Sequence, residues 1–97
     1  PPHPATAEEN IPSEGRKDYE EERQQRNEKR KRARLLTETE TIIAQLEQAI
    51  NEKEQQLTQP EVYSDYTEAS RIENELEQLR QQLDDALNEW SELADDA

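Results

Sequence analysis

Residues 57–66 read LTQPEVYSDY, and this short segment interrupts a sequence that is otherwise rich in helix-forming residues. Pro60 lacks the backbone N–H that a continuous helix needs, so one helix is expected to end before it. Asp65 is followed three residues later by Glu68, which is the spacing of a capping pair at the start of a helix. A connection this short predicts that the two flanking helices are antiparallel neighbours.

Apolar residues recur with heptad spacing on both sides of this connection. The N-terminal run comprises Leu36, Ile43, Leu46, Ile50 and Leu57, with Thr39 and Lys53 at matching positions. The C-terminal run comprises Ala69, Ile72, Leu76, Leu79, Leu83, Ala86, Trp90 and Leu93. Alternating steps of three and four are typical of a coiled coil. Pairing residues whose numbers sum to about 126 sets Ile50 beside Leu76 and Leu36 beside Trp90, so the two runs mirror each other about the connection.

These patterns predict an all-α fold, an antiparallel two-helix coiled-coil hairpin with a disordered N-terminal linker. The linker covers residues 1–15, which hold four of the five prolines, the single glycine and the single histidine. The hairpin covers residues 16–97, with a helix at about 17–57, a loop at 58–65 and a helix at about 66–94.

The composition excludes several functional classes. The chain has 97 residues, 29% of them hydrophobic, with no cysteine and a net charge of −13. It contains no run of apolar residues long enough for a membrane span, no thiolate for a metal site and no glycine-rich phosphate loop. So few apolar side chains are not expected to enclose a catalytic pocket. We therefore expect no enzymatic activity, cofactor or metal in this fragment, and no membrane partner.

Charge is distributed unevenly along the chain. Residues 35–97 carry 3 basic and 17 acidic groups, whereas residues 23–34, called the basic segment below, carry seven basic groups and one acidic group. The basic residues are Arg23, Arg26, Lys29, Arg30, Lys31, Arg32 and Arg34. A clustered basic helix in an acidic protein predicts contact with a nucleic-acid backbone.

Two other interpretations of the basic segment remain open. In the first, the basic segment balances charge within the chain, either with Asp18 and residues 20–22 or with the acidic end at Asp95 and Asp96. In the second, it binds an anionic membrane, although residues 16–34 lack the apolar stripe that suits a membrane surface.

The connection itself has two interpretations. Val62, Tyr63 and Tyr66 are expected to close the tip of the hairpin by packing over Leu57 and Ala69. The alternative is that these side chains form a partner-binding tip.

The sequence resembles the C-terminal coiled-coil domain of the ABC-F proteins, which carry two ATP-binding cassettes and no membrane domain. The resemblance covers roughly residues 16–96 and rests on three motifs. They are Lys17-Asp18-Tyr19-Glu20, Gln59-Pro60-Glu61-Val62-Tyr63-Ser64-Asp65 and Trp90-Ser91-Glu92-Leu93. The sequence departs from the family pattern in two ways. Thr39 and Lys53 interrupt the first apolar run, and the strongly acidic second helix argues against RNA contact along the whole hairpin.

The resemblance implies a cytoplasmic bacterial parent protein that binds ATP and Mg²⁺ in cassettes absent here. Such proteins act on the ribosome near the tRNA exit site and modulate translation, and in some members the C-terminal domain is linked to nucleic-acid binding. The resemblance therefore implies an accessory arm, expected here to be a monomeric hairpin. The alternatives are a protein-interaction or dimerisation coiled coil, or the tRNA-contacting C-terminal arm of an aminoacyl-tRNA synthetase such as valyl-tRNA synthetase.

Overall fold

The computed structural model describes the backbone of residues 3–95 and the side chains of residues 15–95. Its elements are α1 (His3–Gln56), α2 (Pro60–Tyr63) and α3 (Tyr66–Asp95), and every regular element in this range is a helix. The chain divides into two units, Pro1–Ala33 and Arg34–Ala97, which are described separately. The second unit is the helical hairpin, so the predicted all-α fold is confirmed.

The predicted boundaries differ from the observed ones most at the N-terminus. α1 begins at His3, whereas the sequence predicts a linker at residues 1–15 and a helix from about residue 17. Residues 1, 2, 96 and 97 lie outside the described residues. Residues 3–15 belong to α1, so the predicted helix start at about residue 17 is not reproduced, and the disorder of this linker stays a prediction.

The connection is held by backbone hydrogen bonds and one side-chain cap. Asp65 Oδ1 accepts hydrogen bonds from the backbone N–H groups of Thr67 at 3.1 Å and Glu68 at 3.2 Å. These bonds satisfy donors that the first turn of α3 leaves without helical partners, so the predicted role of Asp65 as a cap is confirmed. At the preceding helix end, Thr58 Oγ1 donates a hydrogen bond to the Gln55 carbonyl oxygen at 2.6 Å.

The core of the hairpin lies next to the connection. Ile50, Ile72 and Leu76 are buried and in contact, which confirms the predicted pairing of Ile50 with Leu76. Half-buried apolar side chains pack around this core: Leu57, Val62, Leu79 and Leu83. The mirrored heptads thus produce the antiparallel packing within the second unit.

The apolar packing is looser at the far end of the hairpin. Trp90 is 38% exposed, although Ala86 one turn earlier is buried. The Trp90 indole Nε1 donates a hydrogen bond to Glu40 Oε1 at 3.2 Å across the hairpin. The heptad position therefore places Trp90 at the interface, but its polar edge faces a carboxylate at the rim.

The two polar residues in the first apolar run are both satisfied. Thr39 is buried, and its hydroxyl donates a hydrogen bond to the Leu35 carbonyl oxygen at 2.7 Å. Lys53 is half-buried, and its Nζ lies 2.6 Å from Glu75 Oε2 on α3. Each of these polar side chains therefore has a partner at the interface: a backbone carbonyl for Thr39 and a carboxylate for Lys53.

Lys53 belongs to a charged network that joins α1 to α3. Arg71 Nη1 donates a hydrogen bond to Glu75 Oε1 at 2.6 Å, and Arg71 Nε donates one to Glu68 Oε2 at 3.2 Å. The bond to Lys53 holds the pKa of Glu75 below its ordinary value, and the bond to Arg71 does the same for Glu68. The bond to Glu68 in turn raises the pKa of Arg71.

Replacement of Glu75 by glutamine is expected to destabilise the hairpin at about pH 7 and to destabilise it less at about pH 3. The folded-state pKa of Glu75 lies below the ordinary value of 4.5, so its pairing stabilises the fold above that value. The contribution is lost as the pH falls through the folded-state pKa, because the protonated carboxyl resembles the glutamine amide. Urea denaturation of both proteins at the two pH values measures this difference.

The matched control is Glu73→Gln, an exposed position on the same helix. We expect no destabilisation from it at either pH, because removing one negative charge from so acidic a hairpin reduces repulsion. Equal losses in Glu75→Gln at both pH values would contradict a role for the ionised pair.

Candidate nucleic-acid interface

The basic segment presents its charged groups to solvent. Six of its seven basic side chains are exposed, and Arg32 is half-buried. The residues from Arg23 to Arg32 lie in the first unit, and Arg34 begins the second. All seven lie on α1, within a stretch of strong helix formers.

Helical spacing brings like charges together within the first unit. Arg23, Arg26 and Arg30 follow one another at intervals of three and four, so they share one face of α1. Each like-charged pair at such a spacing costs a helix about 0.2–0.5 kcal/mol. The arrangement is therefore not one that stabilises the helix by itself.

The arginines of this face are not in direct contact with the acidic residues near them in the described part of the chain. Within residues 15–95, where side chains are described, Arg23, Arg26 and Arg30 make no ion pair with a carboxylate. In the second unit, Arg34 Nε lies 3.9 Å from Glu38 Oε1, and both side chains are exposed. The alternative in which Arg23 and Arg26 pair with Asp18 or residues 20–22 is thus not observed among the described side chains. The alternative that involves Asp96 concerns a residue outside the described range.

This arrangement suits an extended polyanion. An exposed guanidinium presents a planar set of donors that bind phosphate oxygens in pairs, and ammonium groups add charge at the same face. The long-range field of clustered cations attracts such a ligand before any contact forms. The segment therefore has the chemistry of a phosphate-binding surface.

Other kinds of site are not apparent in the described part of the chain. Among those residues there is no group of histidine, cysteine, aspartate or glutamate side chains that could hold a metal ion. No helix among the described residues has the length and apolarity required to cross a membrane. One groove of the second unit is open, and half of its eight lining residues are acidic: Glu54, Glu73, Glu77 and Asp84.

The structure corrects the expected role of the tip. Val62 packs against the core as predicted, but Tyr63 is 60% exposed and Tyr66 is 85% exposed. The charged network around Arg71 was not predicted. The sequence nevertheless indicates it, because Glu68, Arg71 and Glu75 are spaced by three and four along one helix.

Comparison with known proteins places this helical hairpin in a family. A family described as ABC transporter C-terminal domain matches residues 20–95. A protein of Bacillus subtilis (strain 168), named "Putative ATP-binding protein YdiF", is 36% identical over 55 residues. That similarity covers 57% of this chain and 9% of the Bacillus protein. No solved structure matches the chain. Since the family match spans the basic segment, the connection and both helices of the hairpin, the chain belongs to the ABC transporter C-terminal domain family.

Proposed function

We propose that this chain is the accessory C-terminal arm of an ABC-F-type protein that acts on the ribosome, and that its basic segment binds ribosomal RNA. The parent protein binds and hydrolyses ATP in cassettes outside this chain, in the cytoplasm of a bacterium. The resemblance to ABC-F proteins and the similarity to a protein named for ATP binding support this assignment.

One observation carries the RNA-binding role. Seven cations follow one another along a single helix, six of them exposed, in a protein whose net charge is −13. Their mutual repulsion is relieved when a polyanion lies against them, and counterions are then released from the RNA. The hairpin beyond residue 34 is strongly acidic and is expected to repel nucleic acid.

Dimerisation is the competing role for a coiled coil. Ile42 on α1 and Leu87 on α3 are exposed large aliphatic side chains in the second unit. Isolated apolar residues are common on the surfaces of monomers, and the main apolar seam is already occupied by the partner helix of the hairpin. We therefore propose that the chain is a monomer. A mass of twice 11.4 kDa, measured by sedimentation equilibrium, would overturn this proposal.

The RNA-binding role is tested with four Arg→Gln substitutions in the basic segment, at Arg23, Arg26, Arg30 and Arg34. Each substitution removes one positive charge while keeping a residue with similar helix propensity. We expect the affinity for ribosomal RNA to fall by about 100-fold near physiological salt, because four phosphate contacts are lost. Fluorescence anisotropy with a labelled ribosomal RNA fragment measures the affinity.

The matched control lowers the net charge of the chain by the same amount, but through substitutions on the hairpin. Gln45, Gln56, Gln78 and Gln82 are exposed, and replacing each with glutamate lowers the net charge by the same amount. We expect this control to bind within a few-fold of the unmodified chain. If both quadruple variants lose affinity equally, overall charge rather than the basic segment governs binding. If neither loses affinity, the proposed interface is wrong.

A synthetase arm would give a different specificity. In that case the chain would prefer tRNA to ribosomal RNA, so tRNA is included as a second labelled ligand. Tighter binding to tRNA than to ribosomal RNA would favour the synthetase assignment and contradict the ribosomal one.

A further inference from the structure

The tip of the hairpin presents two exposed aromatic rings that the fold does not use. Tyr63 is the last residue of α2 and Tyr66 is the first residue of α3. Their exposed fractions are 60% and 85%, whereas Val62, the residue of α2 that precedes Tyr63, packs against the core. The tyrosine rings therefore contribute little to folding and are free for contact with another molecule.

The backbone that carries these rings is well held. The Tyr63 N–H donates to the Gln59 carbonyl oxygen at 2.9 Å, and the Ser64 N–H donates to the Pro60 carbonyl oxygen at 3.0 Å. Asp65 adds the cap of α3 on the other side. A tyrosine side chain has few rotatable bonds and therefore loses little conformational entropy when it is bound. Aromatic rings on such a support are suited to serve as anchors of an interface.

The charges around the tip select the kind of partner. Residues 58–68 contain Glu61, Asp65 and Glu68 and no basic residue. The basic side chains nearest in sequence, Lys53 and Arg71, are already paired with Glu75 and Glu68. A phosphate backbone would be repelled here, whereas a cationic group would be attracted.

We propose that the tip binds an arginine-bearing segment of another protein. A guanidinium stacks on the face of an exposed tyrosine ring, and its positive charge is attracted by the acidic surroundings of the tip. A lysine ammonium is attracted by the same charges but lacks the planar stacking. This site does not include the basic segment. A negative result for RNA binding therefore leaves the peptide-binding proposal standing, and the reverse also holds.

The test is an NMR titration of the whole isotopically labelled chain with a short peptide of alternating glycine and arginine. We expect the amide shifts to be largest at residues 60–68 and the affinity to exceed that for the same peptide with lysine. Tyr63→Ala and Tyr66→Ala are each expected to weaken arginine-peptide binding by about threefold. Tyr19→Ala, which removes an exposed tyrosine outside the hairpin, is expected to leave it unchanged.

Three results would overturn the proposal. One is equal binding of the arginine and lysine peptides with shifts spread along the acidic face of α3, which indicates unspecific charge attraction. Another is unchanged binding in the double variant Tyr63→Ala/Tyr66→Ala while circular dichroism shows an intact hairpin. The third is that a single-stranded RNA oligonucleotide, and not the peptide, shifts the tip resonances.

Discussion

Replacement of Ile72 by alanine is expected to lower the free energy of unfolding of the hairpin by about 3 kcal/mol. Ile72 is 0% exposed and contacts Ile50 and Leu76, so its truncation removes buried surface and leaves a cavity between the two helices. Small domains retain only a few kcal/mol of net stability, so this loss is a large share of the total. Urea denaturation followed by far-ultraviolet circular dichroism measures the change.

Ile42→Ala is the matched control because it deletes the same atoms from a helix of the same hairpin. Ile42 is 47% exposed, so the change is expected to alter the free energy of unfolding by less than about 0.5 kcal/mol. Alanine is also the better helix former, which offsets part of any loss at both sites. Similar losses at the two positions would show that the core does not lie at Ile72.

A salt titration is expected to weaken binding to ribosomal RNA by about 1000-fold between about 50 and about 200 mM monovalent salt. If all seven cations of the basic segment contact phosphates, the logarithm of the affinity falls against the logarithm of salt with a slope of about −5 to −6. The variant with four Arg→Gln substitutions retains three cations, so its slope is expected to be about −2 to −3. Anisotropy titrations at several salt concentrations give both slopes.

The hairpin variant with four Gln→Glu substitutions controls for net charge in the same titration. It loses no phosphate contact, so its slope is expected to equal that of the unmodified chain even if its affinity is somewhat lower. A slope near zero for the unmodified chain would show that RNA binding, if present, does not depend on phosphate contacts. Equal slopes for the unmodified chain and the arginine variant would place the contacts elsewhere.

Much of the hairpin was predictable because two physical signals agreed. The heptad spacing identifies the buried faces, and the short connection with Pro60 and Asp65 fixes how the two faces meet. Together they predicted the contact between Ile50 and Leu76 that forms the core. Neither signal alone specifies which residues are opposite each other.

The tip was predicted less well because burial there depends on local geometry and not on periodicity. Val62 and Tyr63 are consecutive in α2, so their side chains point about 100° apart and do not both face the core. Tyr66 begins α3, whereas α1 ends at Gln56 and offers no further turn to cover the ring. Aromatic character alone predicted packing that this geometry does not allow.

The basic segment was predictable as a charged surface but not as a contact with a particular partner. The exposure of its side chains could be predicted because arginine and lysine stay in solvent unless they are paired. Recognition of one RNA over another depends on the shape and sequence of the ligand, and clustered charge contains no such information.

The uneven distribution of burial along the hairpin has a consequence for how the hairpin folds. The best-buried contacts, among Ile50, Ile72 and Leu76, join segments that are close in sequence across a short connection. Closing that small loop costs little chain entropy, so we expect folding to nucleate there and to propagate outward towards Trp90. Opening follows the reverse order, and the helix ends farthest from the connection separate first. Slow amide hydrogen exchange is therefore expected to be concentrated around Ile72 and to decline towards the end of α3.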